Sequence, residues 1–214
     1  MIFDFDGVIV DSEILSNAIL AEALTELGHP TSLEQAIDRY IGLNWRDTIR
    51  IIEADIGRPL PADFRTRNKQ AFELRSDEVT AVAGVEAFLE ALPPLPKAVA
   101  SSSPTRWLSG ALERFGLIHY FGDRLFSAAE HVSMGKPHPD IYLYAAKQLS
   151  VPPEQVLVLE DTPTGVKAAR AAGMTVVGLC AGLHCGPGHG DRLRESGADH
   201  IAATYAQVLD LIGG

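Results

Sequence analysis

Asp4-Phe5-Asp6-Gly7-Val8 follows a short apolar start and sets two carboxylates two residues apart where a strand would end. In extended backbone, residues i and i+2 point to the same side. Asp4 and Asp6 are therefore expected to face one way. Two like charges held that close raise each other's proton affinity unless a cation lies between them, which suits a divalent metal or a nucleophile paired with an acid. Taken alone, the pair reads first as a solvated turn after an edge strand. The rest of the chain decides between the two.

From Val82 onward, apolar strand-like runs alternate with amphipathic helical stretches, the signature of parallel β-α units with helices on both faces of a sheet. The strands are expected at 97–101 (KAVAS), 125–128, 156–160 (VLVLE) and 175–179 (TVVGL), with a weaker one at 199–201. Helical spacing predicts helices over 85–92, 106–115, 139–149, 163–172 and 191–196. Gly116 and Gly173 stand where C-caps belong.

The stretch 13–81 lacks strand-like runs. Ile14, Leu15, Ala18, Ala21, Leu24 and Leu27 recur at spacings of three and four, Gly28 closes that helix, and Asp11 or Ser12 is the candidate N-cap. Further helices are expected over 33–40, 45–56 and 61–74. The chain thus divides into an α/β core of residues 1–12 plus 82–214 and an inserted helical unit of residues 13–81. Ligands in open parallel sheets bind beyond the carboxyl ends of the strands, so an insertion directly after the first strand is expected to act as a lid.

The length of 214 residues and 46% hydrophobic content are ample for a packed core, and the formal charge of −10 is spread without a basic stretch. That balance argues against nucleic acid or an anionic membrane as partner. No apolar run approaches the roughly 18–20 residues that span a bilayer, and no charged-then-apolar leader precedes Asp4, so a cytoplasmic protein is expected. Cys180 and Cys185 share a stretch with His184 and His189. Structural zinc sites present tighter Cys and His pairs than this mixed string, which makes Cys180 the expected end of a buried strand rather than a ligand.

Three more polar blocks sit at or beyond the carboxyl ends of the expected strands: Ser101-Ser102-Ser103, Gly135-Lys136-Pro137 and Glu160-Asp161-Thr162. In a parallel sheet these ends share one edge, so residues about 100 and 160 positions away can converge on Asp4 and Asp6. The competing roles are local: Glu160 or Asp161 as a cap before Thr162-Pro163, Ser103 as a cap after which Pro104 opens a helix, and His138 as a turn residue.

Together the four blocks resemble the haloacid dehalogenase superfamily, in its branch with a helical cap inserted after the first motif. The block from Asp4 to Glu13 looks like the opening of sugar-phosphate phosphatases and β-phosphoglucomutases, and the blocks at Gly135–Asp140 and Glu160–Val166 match in order and spacing. The resemblance implies a Rossmann-like doubly wound sheet. It also implies Mg2+-dependent hydrolysis of a small phosphorylated sugar or sugar acid, similar to 6-phosphogluconate phosphatases. Asp4 would be the nucleophile that carries a transient phosphoryl group, and Asp6 the general acid and base. Lys136 and Ser101 would balance and bind the phosphoryl oxygens. Mg2+ would take Asp4, the Asp6 carbonyl and Asp161, with Glu160 direct or through water.

Gly7, Ser102, Glu13, Asn44, Arg65 and Lys69 are the expected substrate contacts, and a monomer or weak dimer is expected. β-Phosphoglucomutases carry a histidine in the first lid helix where this chain has Ser16, which favours hydrolysis over phosphosugar mutation. A non-catalytic phospho-acceptor α/β protein is the alternative from another class. It leaves the convergence of the polar strand ends without a purpose.

Overall fold

The computed structural model describes residues 1–41, 43 and 45–213, and divides them into two compact units, residues 1–10 with 81–214 and residues 11–80. In the first unit the strands are β1 (Ile2–Phe3), β2 (Ala98–Ser101), β3 (Leu125–Ser127), β4 (Leu157–Glu160), β5 (Thr175–Leu179) and β6 (His200–Ala202). They form one sheet in the order β3-β2-β1-β4-β5-β6, with every pairing parallel. The order reverses at β1, whose neighbours are β2 and β4; such a switch point opens a crevice at the carboxyl ends of the strands. Asp4 leaves β1 at that crevice, still tied to the sheet through its N–H to the Leu159 carbonyl (2.9 Å).

The helices are α1 (Ser12–Glu26), α2 (Leu33–Tyr40), α3 (Trp45–Ile56), α4 (Phe64–Leu74), α5 (Val85–Ala91) and α6 (Thr105–Arg114). They continue with α7 (Ile118–Phe121), α8 (Ala128–His131), α9 (Asp140–Gln148), α10 (Pro163–Ala171), α11 (His189–Glu195) and α12 (Tyr205–Gly213). Both residues of β1 are fully buried, as a strand covered on two faces requires. Ile2 joins a cluster with Ile141 and Tyr142 of α9, Val166 of α10 and Leu193 of α11. Phe3 faces the other way and meets Phe88 of α5 and Phe121 of α7 edge-on, with ring centroids 6.1 and 5.5 Å away. The alternation of a two-residue strand thus assigns one large side chain to each layer, and burying each contributes about 1.5–3 kcal/mol.

In the second unit, Leu20, Ala21 and Leu24 of α1 pack with Ala36 and Tyr40 of α2, Ile52 of α3 and Phe64 of α4. Helix α2 opens with a reciprocal capping box between Ser32 and Gln35. Helix α1 does not use its expected cap chemistry: Asp11 occupies the N-cap position, but its side chain makes no capping hydrogen bond. Short helices α7 and α8 and the terminal α12 have no counterpart among the expected elements. The first two span four residues each, too short for an apolar period to repeat.

Leu24 is fully buried at the centre of the helical unit. Leu24→Ala should lower stability by about 2–5 kcal/mol, read as a shift of the urea midpoint at unchanged slope. A loss below about 1 kcal/mol would place this residue outside a well-packed core.

Candidate active site

The register of the sheet assembles the site. Phe3 pairs with Val99 on one side and Leu159 on the other, so one step further along the strands brings Asp4 level with Ala100 and Glu160. Ser101 and Asp161 follow one residue beyond. Four segments remote in sequence thereby meet at one edge.

Lys136 is the centre of the cluster. Its Nζ lies 2.5 Å from Asp4 Oδ1 and 2.6 Å from Glu160 Oε1, with 6% of the side chain exposed. The Tyr142 hydroxyl of α9 donates to the same Glu160 oxygen (2.9 Å), and the tyrosine ring lies 4.9 Å from the ammonium. Glu160 Oε2 accepts from the N–H and the hydroxyl of Thr162 (2.8 and 2.9 Å). Each carboxylate oxygen of Glu160 therefore has two donors. Burial by itself would pull the ammonium down, but Asp4 and Glu160 more than offset this and hold Lys136 well above the usual lysine range. Burial pushes the Asp4 carboxyl well above its usual range; Lys136 opposes that shift, and Glu160 and Asp161 reinforce it. Burial and then Glu160 likewise raise Tyr142, which keeps its phenol a donor.

Local chemistry explains the positions of the late acids. Thr162 is the N-cap of α10, its hydroxyl accepting from the Gly165 N–H (3.0 Å), and Pro163 follows in the first turn. The capping role falls to Thr162, which leaves Glu160 and Asp161 for other work. Gly165 is required by close approach, since a Cβ there would lie 1.5 Å from Glu160 Oε1. Gly7, with φ of +83°, is constrained twice: a Cβ would also meet Asp161 Oδ2 at 1.9 Å.

Asp6 has a different environment from Asp4. Its Oδ2 accepts from the Ser103 hydroxyl (2.6 Å) and its Oδ1 from the Trp107 indole N–H (3.1 Å). Ser103 is therefore not the helix cap; Pro104 occupies that position in α6. Ser101, 1% exposed at the end of β2, accepts from the Ser103 N–H (2.9 Å) and links this chain of contacts to the sheet. Ser102 is exposed, and His138 is a turn residue whose N–H donates to the Gly135 carbonyl (3.0 Å).

The other expected contacts belong to the helical unit, where Glu13 is half-buried and Arg65 and Lys69 are exposed. The Arg65 guanidinium lies 6.0 Å from the Trp45 ring. Asn44 lies outside the described residues.

Carboxylate oxygens of Asp4, Glu160 and Asp161, all buried, lie within 4.8 Å of one another. Among the described residues, three buried acids gather beside one ammonium, and a divalent cation would offset the charge of their ionised forms. The all-oxygen donor set fits Mg2+. Within it, the two Glu160 oxygens also accept from Lys136, Tyr142 and Thr162.

Sequence patterns did not reveal Tyr142, Trp107, His184 or His189. His184 Nε2 lies 3.0 Å from Asp161 Oδ2, and His189 Nε2 lies 2.6 Å from the Asp161 carbonyl. Burial pulls the His189 imidazole below its ordinary range.

A parallel doubly wound sheet with buried acids and an ammonium at its switch point describes a class of α/β enzymes that handle anionic substrates. The sequence pattern of the haloacid dehalogenase-like hydrolases matches residues 1–179, and the chain belongs to that family. The fructose-1-phosphate phosphatase of Escherichia coli is 35% identical over 83% of this chain and 94% of its own length. The 6-phosphogluconate phosphatase of the same organism is 30% identical over 86% and 84%. A haloacid dehalogenase family hydrolase from Deinococcus radiodurans, solved with bound phosphate and sodium, superposes with a TM-score of 0.81 at 30% identity, covering 99% of this chain and 93% of its own.

Removing one member of a buried ion cluster leaves the others uncompensated. In metal-free protein, Lys136→Met should lose about 3–5 kcal/mol of stability, and adding Glu160→Gln should return part of it. Chemical denaturation of the two variants measures this. With Glu160→Gln measured alone as well, a double-variant loss equal to the sum of the two single losses would mean that Glu160 and Lys136 are not coupled.

Proposed function

We propose that the chain is a divalent-cation-dependent phosphatase acting on a small phosphorylated sugar or sugar acid. The observation that carries this reading is the convergence of Asp4, Lys136 and Asp161 at the switch point of a family whose members include the two sugar-phosphate phosphatases named above. The phosphate bound by the Deinococcus relative supports it as well.

Asp4 is the nucleophile. Its carboxylate oxygen bonds to phosphorus as the ester P–O bond breaks, and the departing alkoxide takes a proton from Asp6. Water then attacks phosphorus, Asp6 takes its proton, and the bond to Asp4 breaks to release inorganic phosphate. Asp6 is suited to both halves because Ser103 and Trp107 hold both its oxygens in place. Lys136 keeps Asp4 able to ionise against the pressure of burial and meets the charge that accumulates on the equatorial oxygens. A bound Mg2+, held by Asp4, Asp161 and the Asp6 carbonyl, would supply further positive charge at those oxygens.

Hydrolysis is favoured over transfer between sugar hydroxyls because Ser16, exposed on α1, cannot take the proton-transfer part of a histidine. The net charge of −10 favours a small metabolite over nucleic acid as partner.

Released phosphate should be detected from p-nitrophenyl phosphate and from at least one member of a panel of sugar phosphates and sugar acid phosphates, with Mg2+ present and not with EDTA. Asp4→Asn should lower turnover by about three orders of magnitude or more with the fold intact by circular dichroism. Turnover by that variant at the wild-type rate, or full activity in EDTA, would refute the assignment. Faster conversion of β-glucose 1-phosphate to glucose 6-phosphate than to free phosphate would make the chain a mutase.

A further inference from the structure

The loop between β5 and α11 turns tightly, the Cys185 N–H donating to the Gly182 carbonyl (3.0 Å), and delivers two buried histidines to one acid. His184 is 3% exposed and His189 is 4% exposed. His184 reaches the side chain of Asp161, Nε2 to Oδ2 at 3.0 Å, while His189 reaches its main chain, Nε2 to the carbonyl at 2.6 Å. The proton on His189 can be placed. Arg192 Nη2 lies 3.1 Å from His189 Nδ1, and a guanidinium only donates, so Nδ1 accepts and Nε2 carries the hydrogen given to Asp161. Space for the His184 ring is made by two glycines: a Cβ on Gly7 or on Gly182 would come within 2.7 Å of His184 Cε1.

We propose that His184 and His189 are positioning residues that clamp Asp161 at its side chain and its backbone, and so fix the metal-binding carboxylate in register with Asp4. The inference rests on the reading that Asp4 and Asp161 hold the divalent cation. Its physical logic is that Asp161 stands just past the last residue of β4 and meets both imidazoles there. A ligand carboxylate free to rotate pays conformational entropy on each binding event. Outer partners of metal ligands commonly change affinity 10- to 100-fold.

The same loop has the makings of a separate centre for a softer cation, since ligand atoms of His184, Cys185 and His189 lie within 4.8 Å of one another and His184 Nε2 is 3.4 Å from Cys185 Sγ. Two features oppose it. Both ring nitrogens of His189 already carry hydrogen bonds, and one of them comes from the Arg192 guanidinium, which would repel a cation placed there.

The test uses full-length protein stripped of metal and titrated with Mn2+, with free Mn2+ read by electron paramagnetic resonance. Wild type should bind Mn2+ and lose that binding in Asp161→Asn. His184→Ala should weaken the binding 10- to 100-fold. His184→Gln, whose amide can offer an N–H near the position of Nε2, should restore most of it. In His184→Ala the loss of turnover should shrink as Mg2+ is raised, while KM for p-nitrophenyl phosphate stays at the wild-type value.

Should His184→Ala fail to fold, His184→Met fills a similar volume without a donor and is expected to show the same weakening. A folded His184→Ala or His184→Met with wild-type Mn2+ affinity overturns the clamp while leaving the metal reading standing. Wild type that binds no Mn2+ overturns the metal reading itself, and the clamp with it. Cobalt loading that produces thiolate-to-metal absorption, lost in Cys185→Ser, would overturn the clamp by showing that the loop holds its own metal.

Discussion

One ammonium between two buried carboxylates is the contact on which this site depends. Burying charge is costly, and an ion pair in the interior breaks even only when the remaining lone pairs and protons are satisfied. The chain meets that condition around Glu160, whose two oxygens receive Lys136, Tyr142 and both donors of Thr162. It meets it only partly around Asp4, which shares Lys136 and stands beside a third acid, Asp161. The imbalance is directional: both Glu160 oxygens are fully engaged, while on the Asp4 side, among the described residues, carboxylates outnumber the ammonium. A phosphoryl-transfer site needs that condition before its cation and substrate arrive, because much of its catalysis is positioning and charge cancellation.

The sheet supplies the precision that such a cluster requires. Because β1 lies between β2 and β4, its carboxyl end is flanked by two strand ends at fixed register, and Asp4 needs no long side chain to meet Glu160 through Lys136. The ammonium arrives from the segment that leads into α9, and α9 itself contributes Tyr142 from its first turn. The same helix packs its buried face, including Ile141 and Ala145, on the sheet. A residue that anchors the charge cluster is therefore fixed by the hydrophobic core, which ties the geometry of the site to the stability of the fold.

Much of this was legible in the residues themselves. Apolar runs bounded by turn residues locate β2, β4 and β5, and the polar blocks at or beyond strand ends mark Ser101, Glu160 and Asp161, with Lys136 ahead of a helix, as residues that can converge. The reason is that a parallel sheet forces its strand ends to one edge, so one-dimensional order already carries three-dimensional proximity. What escaped were contacts made across helices and loops. Trp107 looks like an ordinary apolar member of α6, yet its indole N–H holds Asp6. Tyr142 looks like core. Ser103 carried a plausible local role as a cap, and a local hydrogen bond and a remote one draw on the same hydroxyl. His184 and His189 stand in a string that fits zinc-ligand spacing poorly, whereas the structure sets one imidazole against the Asp161 carboxylate and the other on its carbonyl, contacts for which no spacing rule exists.

The consecutive acids Glu160 and Asp161 show how one strand end serves two purposes. Successive side chains of extended backbone leave on opposite sides. Glu160 enters the surroundings of α9, where a phenol and an ammonium await it; Asp161 enters those of the β5–α11 loop, where two imidazoles do. Thr162 then starts a helix at once, its hydroxyl both capping α10 and donating to Glu160. The tightness of that turn makes Gly165 obligatory, since any side chain would collide with the Glu160 carboxylate. The late acidic block is thus a compact device in which strand alternation separates the two carboxylates by role, a helix cap holds one, and a loop from the next crossover holds the other.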